Sequence, residues 1–134
     1  LQARPNFVTS LVRILSQGSP YSAVTDQYGT PTLADNCAAI LLDLWEKGKR
    51  GIYNTSGSEL INRYDMAVRG AQRFGLDSSL IRPISTEELS QRAKRPLKGG
   101  LTTDKMAAEC TTKPIGIREG LDIVYNSMVA TGVL

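Results

Sequence analysis

The chain has 134 residues, of which 41% are hydrophobic and 22% charged, and its formal net charge is +3. These values are typical of a globular domain with a buried core and exclude disordered and fibrous classes. The mild positive charge permits an anionic ligand without requiring nucleic acid. The longest aliphatic run, Ala38–Leu42, is too short to cross a bilayer, and no secretory leader pattern is visible. We therefore expect one cytoplasmic domain over 1–134, with no membrane partner.

The first predicted element is a helix that Asn6 can cap and Gly18 ends. Its apolar residues recur at helical spacing: Phe7, Leu11 and Leu15. A β-prone run over 21–25 follows and predicts a strand. Gly29 and Pro31 then form a turn.

A second helix is predicted after this turn, starting at Thr32 or Asp35 and ending at Gly48. Its predicted buried face consists of apolar residues at helical spacing: Leu33, Cys37, Ile40, Leu41 and Leu44. Trp45, near the helix end, is expected to be a partly buried core residue, with a contact to a cofactor domain as the alternative. A short strand is predicted over 51–55.

A third helix is predicted between its cap at Asn62 and Gly75. Residues 79–84 are predicted to form a strand, and Pro83 indicates that it is an edge strand or ends there, because proline cannot donate to a sheet. Residues 85–88 form a short capped helix.

The C-terminal part begins with a polar, basic and irregular segment over 91–100. A short helix over 103–109 and a last helix over 117–129 follow. Strands separated by helical patterns predict an α/β fold with a small mixed or parallel sheet and packed helices.

The sequence supplies little chemistry for catalysis. It contains no histidine, and its two cysteines, Cys37 and Cys110, are far apart. We therefore expect free thiols and no zinc site. No glycine-rich dinucleotide fingerprint occurs, and none of the five tyrosines is followed four residues later by lysine.

Two segments carry a recognisable pattern. Residues 26–32 read Asp-Gln-Tyr-Gly-Thr-Pro-Thr, and residues 95–105 read Arg-Pro-x-x-Gly-x-Leu-x-x-x-Lys. Together they resemble the C-terminal, sugar-nucleotide-binding half of the dTDP-4-dehydrorhamnose reductase family, within the extended short-chain dehydrogenase/reductase superfamily. The resemblance covers nearly the whole chain. Gly99 replaces a usual serine and Thr102 a usual aspartate, so a changed or lost substrate stays open.

The resemblance implies the fold of the substrate-binding portion of these enzymes. It also implies that their N-terminal Rossmann half is missing from this chain. Because the chain begins with Leu1, we expect a fragment. An intact parent is expected to use NADPH or NADH to reduce the 4-keto group of a dTDP-deoxysugar. This chain alone is expected to bind no cofactor and to have no catalytic residue.

Three residues are candidates for substrate binding. Gln27 is a neutral polar side chain held in a turn, and Arg95 and Lys98 belong to a cluster of four cations, the others being Arg92 and Lys94. Arginine donors near glycines can approach a diphosphate closely. The alternatives are that 26–32 is a structural turn with a helix cap and that the basic cluster is a solvated loop.

Two functions follow from the resemblance. The first is recognition of a dTDP-sugar by the substrate-binding part of a reductase. The alternative is a non-catalytic interaction or regulatory module, like the β subunit of methionine adenosyltransferase, with a homo-oligomer or a separate Rossmann-type chain as partner. Nucleic-acid binding would rest on the pI of about 9.0 and the basic cluster alone, and it is not expected.

Overall fold

The structure, a computed structural model, describes residues 5–133. The helices are α1 (Phe7–Ser16), α2 (Ala34–Glu46), α3 (Arg63–Arg73), α4 (Thr86–Leu89), α5 (Asp104–Glu109) and α6 (Ile117–Ala130). The strands are β1 (Tyr21–Val24), β2 (Tyr28–Gly29), β3 (Ile61–Asn62) and β4 (Ile81–Ile84), and one turn of 3₁₀ helix covers Ser78–Leu80. This confirms the predicted α/β fold with packed helices. Where one small mixed or parallel sheet was predicted, the strands of the described residues form one parallel and one antiparallel pair.

Two short sheets bring distant parts of the chain together. β1 pairs with β4 in parallel, from Tyr21 opposite Ile81 to Val24 opposite Ile84. β2 pairs with β3 antiparallel, with Tyr28 opposite Asn62. Because parallel strands end at the same sheet edge, the chain segments that follow β1 and β4 meet there. This edge positions the candidate site.

The main core forms where α1 and α3 pack on the β1–β4 sheet, through Leu11, Leu15, Ala23, Ala67, Ala71 and Ile81. Gly70 permits this close packing, because a Cβ there would lie 2.8 Å from Leu11 Cδ2. A second cluster joins β3 and α3 to α6 through Ile61, Met66, Ile117 and Leu121. A third joins α2 to α5 through Ile40, Leu44, Met106 and Cys110.

The structure has the helix-capping residues that the sequence predicts. The Asn6 side chain caps α1, and the Asn62 Oδ1 accepts from the Asp65 backbone N–H at 2.7 Å at the start of α3. Ser85 and Glu88 form a capping box on α4, as predicted. Such caps satisfy backbone donors that the first helical turn leaves free.

The predicted strand over 51–55 is wrong. Within the described part of the chain no strand lies beside this segment, so no ladder can form. Side chains from the α5 region contact it instead: Lys105 Nζ donates to the Ile52 carbonyl at 3.0 Å, and Tyr53 Oη donates to Glu109 at 2.8 Å. The sequence did not predict the strands β2 and β3, because two residues are too few to show the alternation of apolar and polar residues that indicates a strand.

Helix α2 differs from its predicted form. Leu33 occupies its N-cap position, so neither Thr32 nor Asp35 begins it. Leu41, predicted to be buried, is 53% exposed, and Trp45, predicted to be partly buried, is 77% exposed. The buried face of α2 is narrower than the predicted one and includes Asp43. The Asp43 carboxylate has a partner there, because it accepts from the Thr112 backbone N–H at 2.7 Å.

Both cysteines are free thiols, as predicted, with Cys110 buried and Cys37 half-buried. Among the residues described, no helix is long and apolar enough to span a bilayer. Over the same residues, no cluster of three or more potential ligand side chains could hold a metal ion.

Candidate functional site

The segment 26–32 starts at the edge where β1 and β4 end together. Asp26 accepts from the Thr86 backbone N–H at 3.1 Å and from the Thr86 hydroxyl at 2.7 Å. These hydrogen bonds lower the pKa of Asp26. The Thr25 N–H also donates to the Ile84 carbonyl at 3.0 Å. Asp26 therefore acts as a structural tie between the segment and the start of α4.

Gln27 follows this tie and is half-buried. Its amide nitrogen donates to Thr86 Oγ1 and to Gln91 Oε1, each at 3.0 Å. These two bonds use both amide hydrogens, so the carbonyl oxygen is the part of Gln27 that remains for a ligand.

The basic segment is attached to β2 through its backbone. The Tyr28 N–H donates to the Leu97 carbonyl at 2.8 Å, and the Gly99 N–H donates to the Tyr28 carbonyl at 3.0 Å. Lys98 thereby forms a parallel bridge with Tyr28. A Cβ on Gly99 would lie 3.4 Å from the Tyr28 oxygen, which is a tight but not impossible fit.

Gln27 and Arg95 line one cavity of about 340 Å³, which we call the Gln27–Arg95 cavity. Its other walls come from α1, β1, the start of α3 and the end of α4: Phe7, Tyr21, Ser22, Ala23, Val24, Arg63, Leu89 and Gln91. No aspartate or glutamate is among these lining residues. The cavity is therefore positively charged and suited to an anion.

Lys98 does not line this cavity. It lines a different cavity of about 500 Å³, whose lining also includes Tyr28, Leu60 and Leu101. The structure thus brings two of the three predicted binding residues, Gln27 and Arg95, into one cavity and leaves the third outside it.

Arg63 is a cavity residue that sequence reasoning missed. It is the first residue of α3, and its guanidinium carbon lies 5.5 Å from the centre of the Phe7 ring. No local signal marks it, because its place at the cavity depends on how α3 packs on α1 and β1. In the sequence it reads as a surface cation beside a helix cap.

Lys105, the last residue of the 95–105 pattern, has a structural position. Its ammonium donates to the Ile52 carbonyl at 3.0 Å and lies 4.0 Å from the centre of the Tyr53 ring. A cation over an aromatic face is a favourable contact. Lys105 therefore holds α5 against the segment 51–55.

A second polar cavity of about 340 Å³ lies between the segment 29–32 and residues 55–56. We call it the hydroxyl-lined cavity, because Thr30, Thr32, Thr55 and Ser56 all line it. Arg63 lines this cavity as well as the Gln27–Arg95 cavity. Together the two cavities offer cations and amides on one side and hydroxyl groups on the other.

Solved structures identify the class of fold. A dTDP-4-dehydrorhamnose reductase from Bacillus anthracis, solved in complex with NADP, matches 94% of this chain with a TM-score of 0.85 and 21% identity. An orthologue from Clostridium acetobutylicum matches the same share with a TM-score of 0.85 and 25% identity. The fold is thus that of a portion of an extended short-chain dehydrogenase/reductase, and the chain covers 44% and 45% of these two proteins.

Sequence comparison identifies the family. The profile described as "RmlD substrate binding domain" matches residues 2–130, and the chain belongs to this family. A dTDP-4-dehydrorhamnose reductase of Aggregatibacter actinomycetemcomitans is 30% identical over 112 residues, which are 75% of this chain and 38% of that protein. Methionine adenosyltransferase 2 subunit beta of Xenopus tropicalis is 33% identical over 100 residues, 68% of this chain and 30% of that protein. The chain therefore spans well under half of these relatives, and the predicted family is confirmed.

Proposed function

We propose that this chain is the substrate-binding part of an NAD(P)-dependent sugar-nucleotide reductase and that it binds a dTDP-linked deoxysugar. The observation that carries the proposal is the Gln27–Arg95 cavity, where a guanidinium and an amide line a space with no carboxylate. An arginine suits a phosphate because its planar group can donate two parallel hydrogen bonds. The family membership supports a nucleotide sugar as the source of that phosphate.

In this proposal the chain contributes recognition, as one substrate-binding unit over 1–134 of a cytoplasmic protein. Hydride transfer from NADPH or NADH to the 4-keto group belongs to the intact protein. The dinucleotide fingerprint needs three glycines after the first strand, and between β1 and α2 this chain has one glycine, Gly29 in β2. No step of the reduction is therefore assigned to a residue of this chain.

A second candidate function is a protein-interaction module. Helix α2 presents an exposed apolar stripe with spacings of three and four residues: Ala38, Leu41, Leu42 and Trp45. Apolar patches of this kind are typical of protein interfaces. The similarity to a protein named as a subunit, the methionine adenosyltransferase 2 subunit beta, also favours this function. The occupant of the stripe would be a second copy or a separate Rossmann-type chain.

Calorimetric titration with dTDP-rhamnose tests the first function. We expect saturable binding that Arg95→Ala weakens by about 1.5–3 kcal/mol, the scale of a hydrogen bond to a charged group. Arg92→Ala is the matched control, since Arg92 lies in the same basic segment and does not line the cavity. Equal losses in the two variants would contradict a specific role for Arg95. Absence of binding at millimolar ligand would contradict the proposal itself.

A further inference from the structure

Arg63 brings a second guanidinium to the Gln27–Arg95 cavity. It comes from the start of α3, whereas Arg95 comes from the basic segment more than thirty positions later. The two cations thus reach the same cavity from different walls. A diphosphate carries at least two negative charges, so a pair of guanidinium groups matches it better than one.

The positive charges of Arg63 and Arg95 are not neutralised by nearby acids. Among residues 5–133, the ion pairs join Lys47 to Asp43, Lys49 to Glu109, Arg69 to Glu59 and Arg73 to Asp122, and neither cavity arginine takes part. Asp65, on the same turn as Arg63, is held by the Asn62 amide, which donates to its carboxylate at 2.7 Å. Two charges that face one space without a carboxylate favour an anionic ligand.

The surroundings of Arg63 hold it at the cavity wall. Its guanidinium lies over the Phe7 ring, which packs edge-to-face on Tyr21 with ring centres 6.2 Å apart. Burial raises the pKa of Tyr21 while the charge of Arg63 acts in the opposite direction. The tyrosine beside Arg63 is therefore a neutral phenol at pH 7.

Arg63 also lines the hydroxyl-lined cavity, so it stands at the junction of the two spaces. In a sugar nucleotide the diphosphate joins the nucleoside to the sugar. A cation that lines both spaces is in the right place for the group that joins them. On the other side, the Thr32 hydroxyl donates to the Thr30 carbonyl and the Ser56 hydroxyl to the Gly57 carbonyl. The lone pairs that these oxygens keep are acceptors suited to the sugar.

We propose that Arg63 is a second diphosphate-binding residue, acting together with Arg95, and that Lys98 is not part of this anion site. This inference rests on the proposed function, because it names how the same site holds its ligand.

The test measures the dissociation constant of dTDP for the 134-residue chain and three variants, at low and at high salt. Arg63→Gln is expected to weaken binding by about 10- to 100-fold at low salt. Arg63→Lys is expected to recover part of this loss, since it restores the charge without the planar donors. Arg50→Gln removes an exposed arginine that does not line the cavity and is expected to change little.

High salt separates a charge contact from a structural role. If Arg63 binds phosphate, the loss caused by Arg63→Gln shrinks in 0.5–1 M salt, because screening weakens the attraction in the parent chain too. Circular dichroism melting of each variant checks that the fold is kept. A loss that is equal at both salt concentrations and is not recovered by lysine would overturn the inference.

Two further outcomes separate this inference from the proposed function. If Arg63→Gln binds dTDP like the parent chain, while Arg95→Ala weakens the binding of dTDP-rhamnose in the calorimetric titration, the inference is overturned and the proposed function stands. If the parent chain binds neither dTDP nor dTDP-rhamnose at millimolar concentration, both are overturned.

Discussion

Gly57 lies where the segment 26–32 meets the loop before α6, and its backbone is packed too closely for a side chain. A Cβ at this position would lie 2.0 Å from the Pro31 carbonyl oxygen and 3.3 Å from the Ile115 oxygen. Gly57→Ala is therefore a direct perturbation of the wall beside the hydroxyl-lined cavity. Gly29→Ala is a matched control in the same segment, because a Cβ there would meet no atom within 4 Å.

The magnitude follows from the contacts that must open. Real Cβ atoms stay beyond 3.0 Å from such an oxygen, so one backbone must move by about 1 Å. The hydrogen bonds from Gly57 N to Thr32 Oγ1 at 3.1 Å and from Ser58 N to the Ile115 carbonyl at 3.0 Å are then lost or strained. Two such bonds contribute about 1–3 kcal/mol, and overpacking costs about 1–3 kcal/mol more. We expect a total loss of about 2–6 kcal/mol.

Urea unfolding followed by circular dichroism measures this loss. Gly57→Ala is expected to lower the midpoint strongly or to prevent folding. Gly29→Ala is expected to change the free energy of unfolding by less than about 1 kcal/mol, with slight stabilisation from the less flexible unfolded chain. If the two variants unfold at the same urea concentration, the close packing of segment 26–32 against Gly57 is refuted.

Two further predictions concern acid stability and association. The backbone hydrogen bond from Thr112, and after it the hydrogen bond with Lys47, lowers the pKa of Asp43 to about 2. The stability that the Asp43 carboxylate adds to the fold is therefore present above its ordinary pKa of 3.8 and is lost as the pH falls towards 2. Urea midpoints measured between these pH values should fall less for Asp43→Asn than for the parent chain, and the same pH profile in both would contradict the role of Asp43. Sedimentation velocity at rising protein concentration should show self-association that Trp45→Glu weakens, because Trp45 is 77% exposed on the apolar stripe of α2. A parent chain that stays monomeric at every concentration would contradict self-association through this stripe.

Local chemistry explains which elements could be predicted from the sequence. The caps at Asn6, Asn62 and Ser85 and the apolar spacing of α1 and α3 act within a few residues, so the sequence alone indicates them. The strand predicted over 51–55 failed for the opposite reason, since a strand needs a neighbour that the sequence of the segment does not contain.

The candidate site could be predicted in part from the sequence. The pattern at 26–32 and 95–105 indicated Gln27 and Arg95, and the structure places them in one cavity. The separation of Lys98 from Arg95 depends on the bridge between Lys98 and Tyr28, and the arrival of Arg63 depends on the packing of α3. The positions of Lys98 and Arg63 thus depend on contacts between distant parts of the chain, and composition and local spacing do not indicate such contacts.

The central claim is that a nucleotide sugar binds in the Gln27–Arg95 cavity, and an NMR titration of the isotopically labelled chain with dTDP-rhamnose tests it most directly. The claim predicts saturable amide shifts concentrated at Ser22, Gln27, Arg63 and Arg95, with smaller changes around Lys98 and Leu101. Shifts centred on the Lys98 cavity or on α2, or no saturable shifts at all, would contradict it.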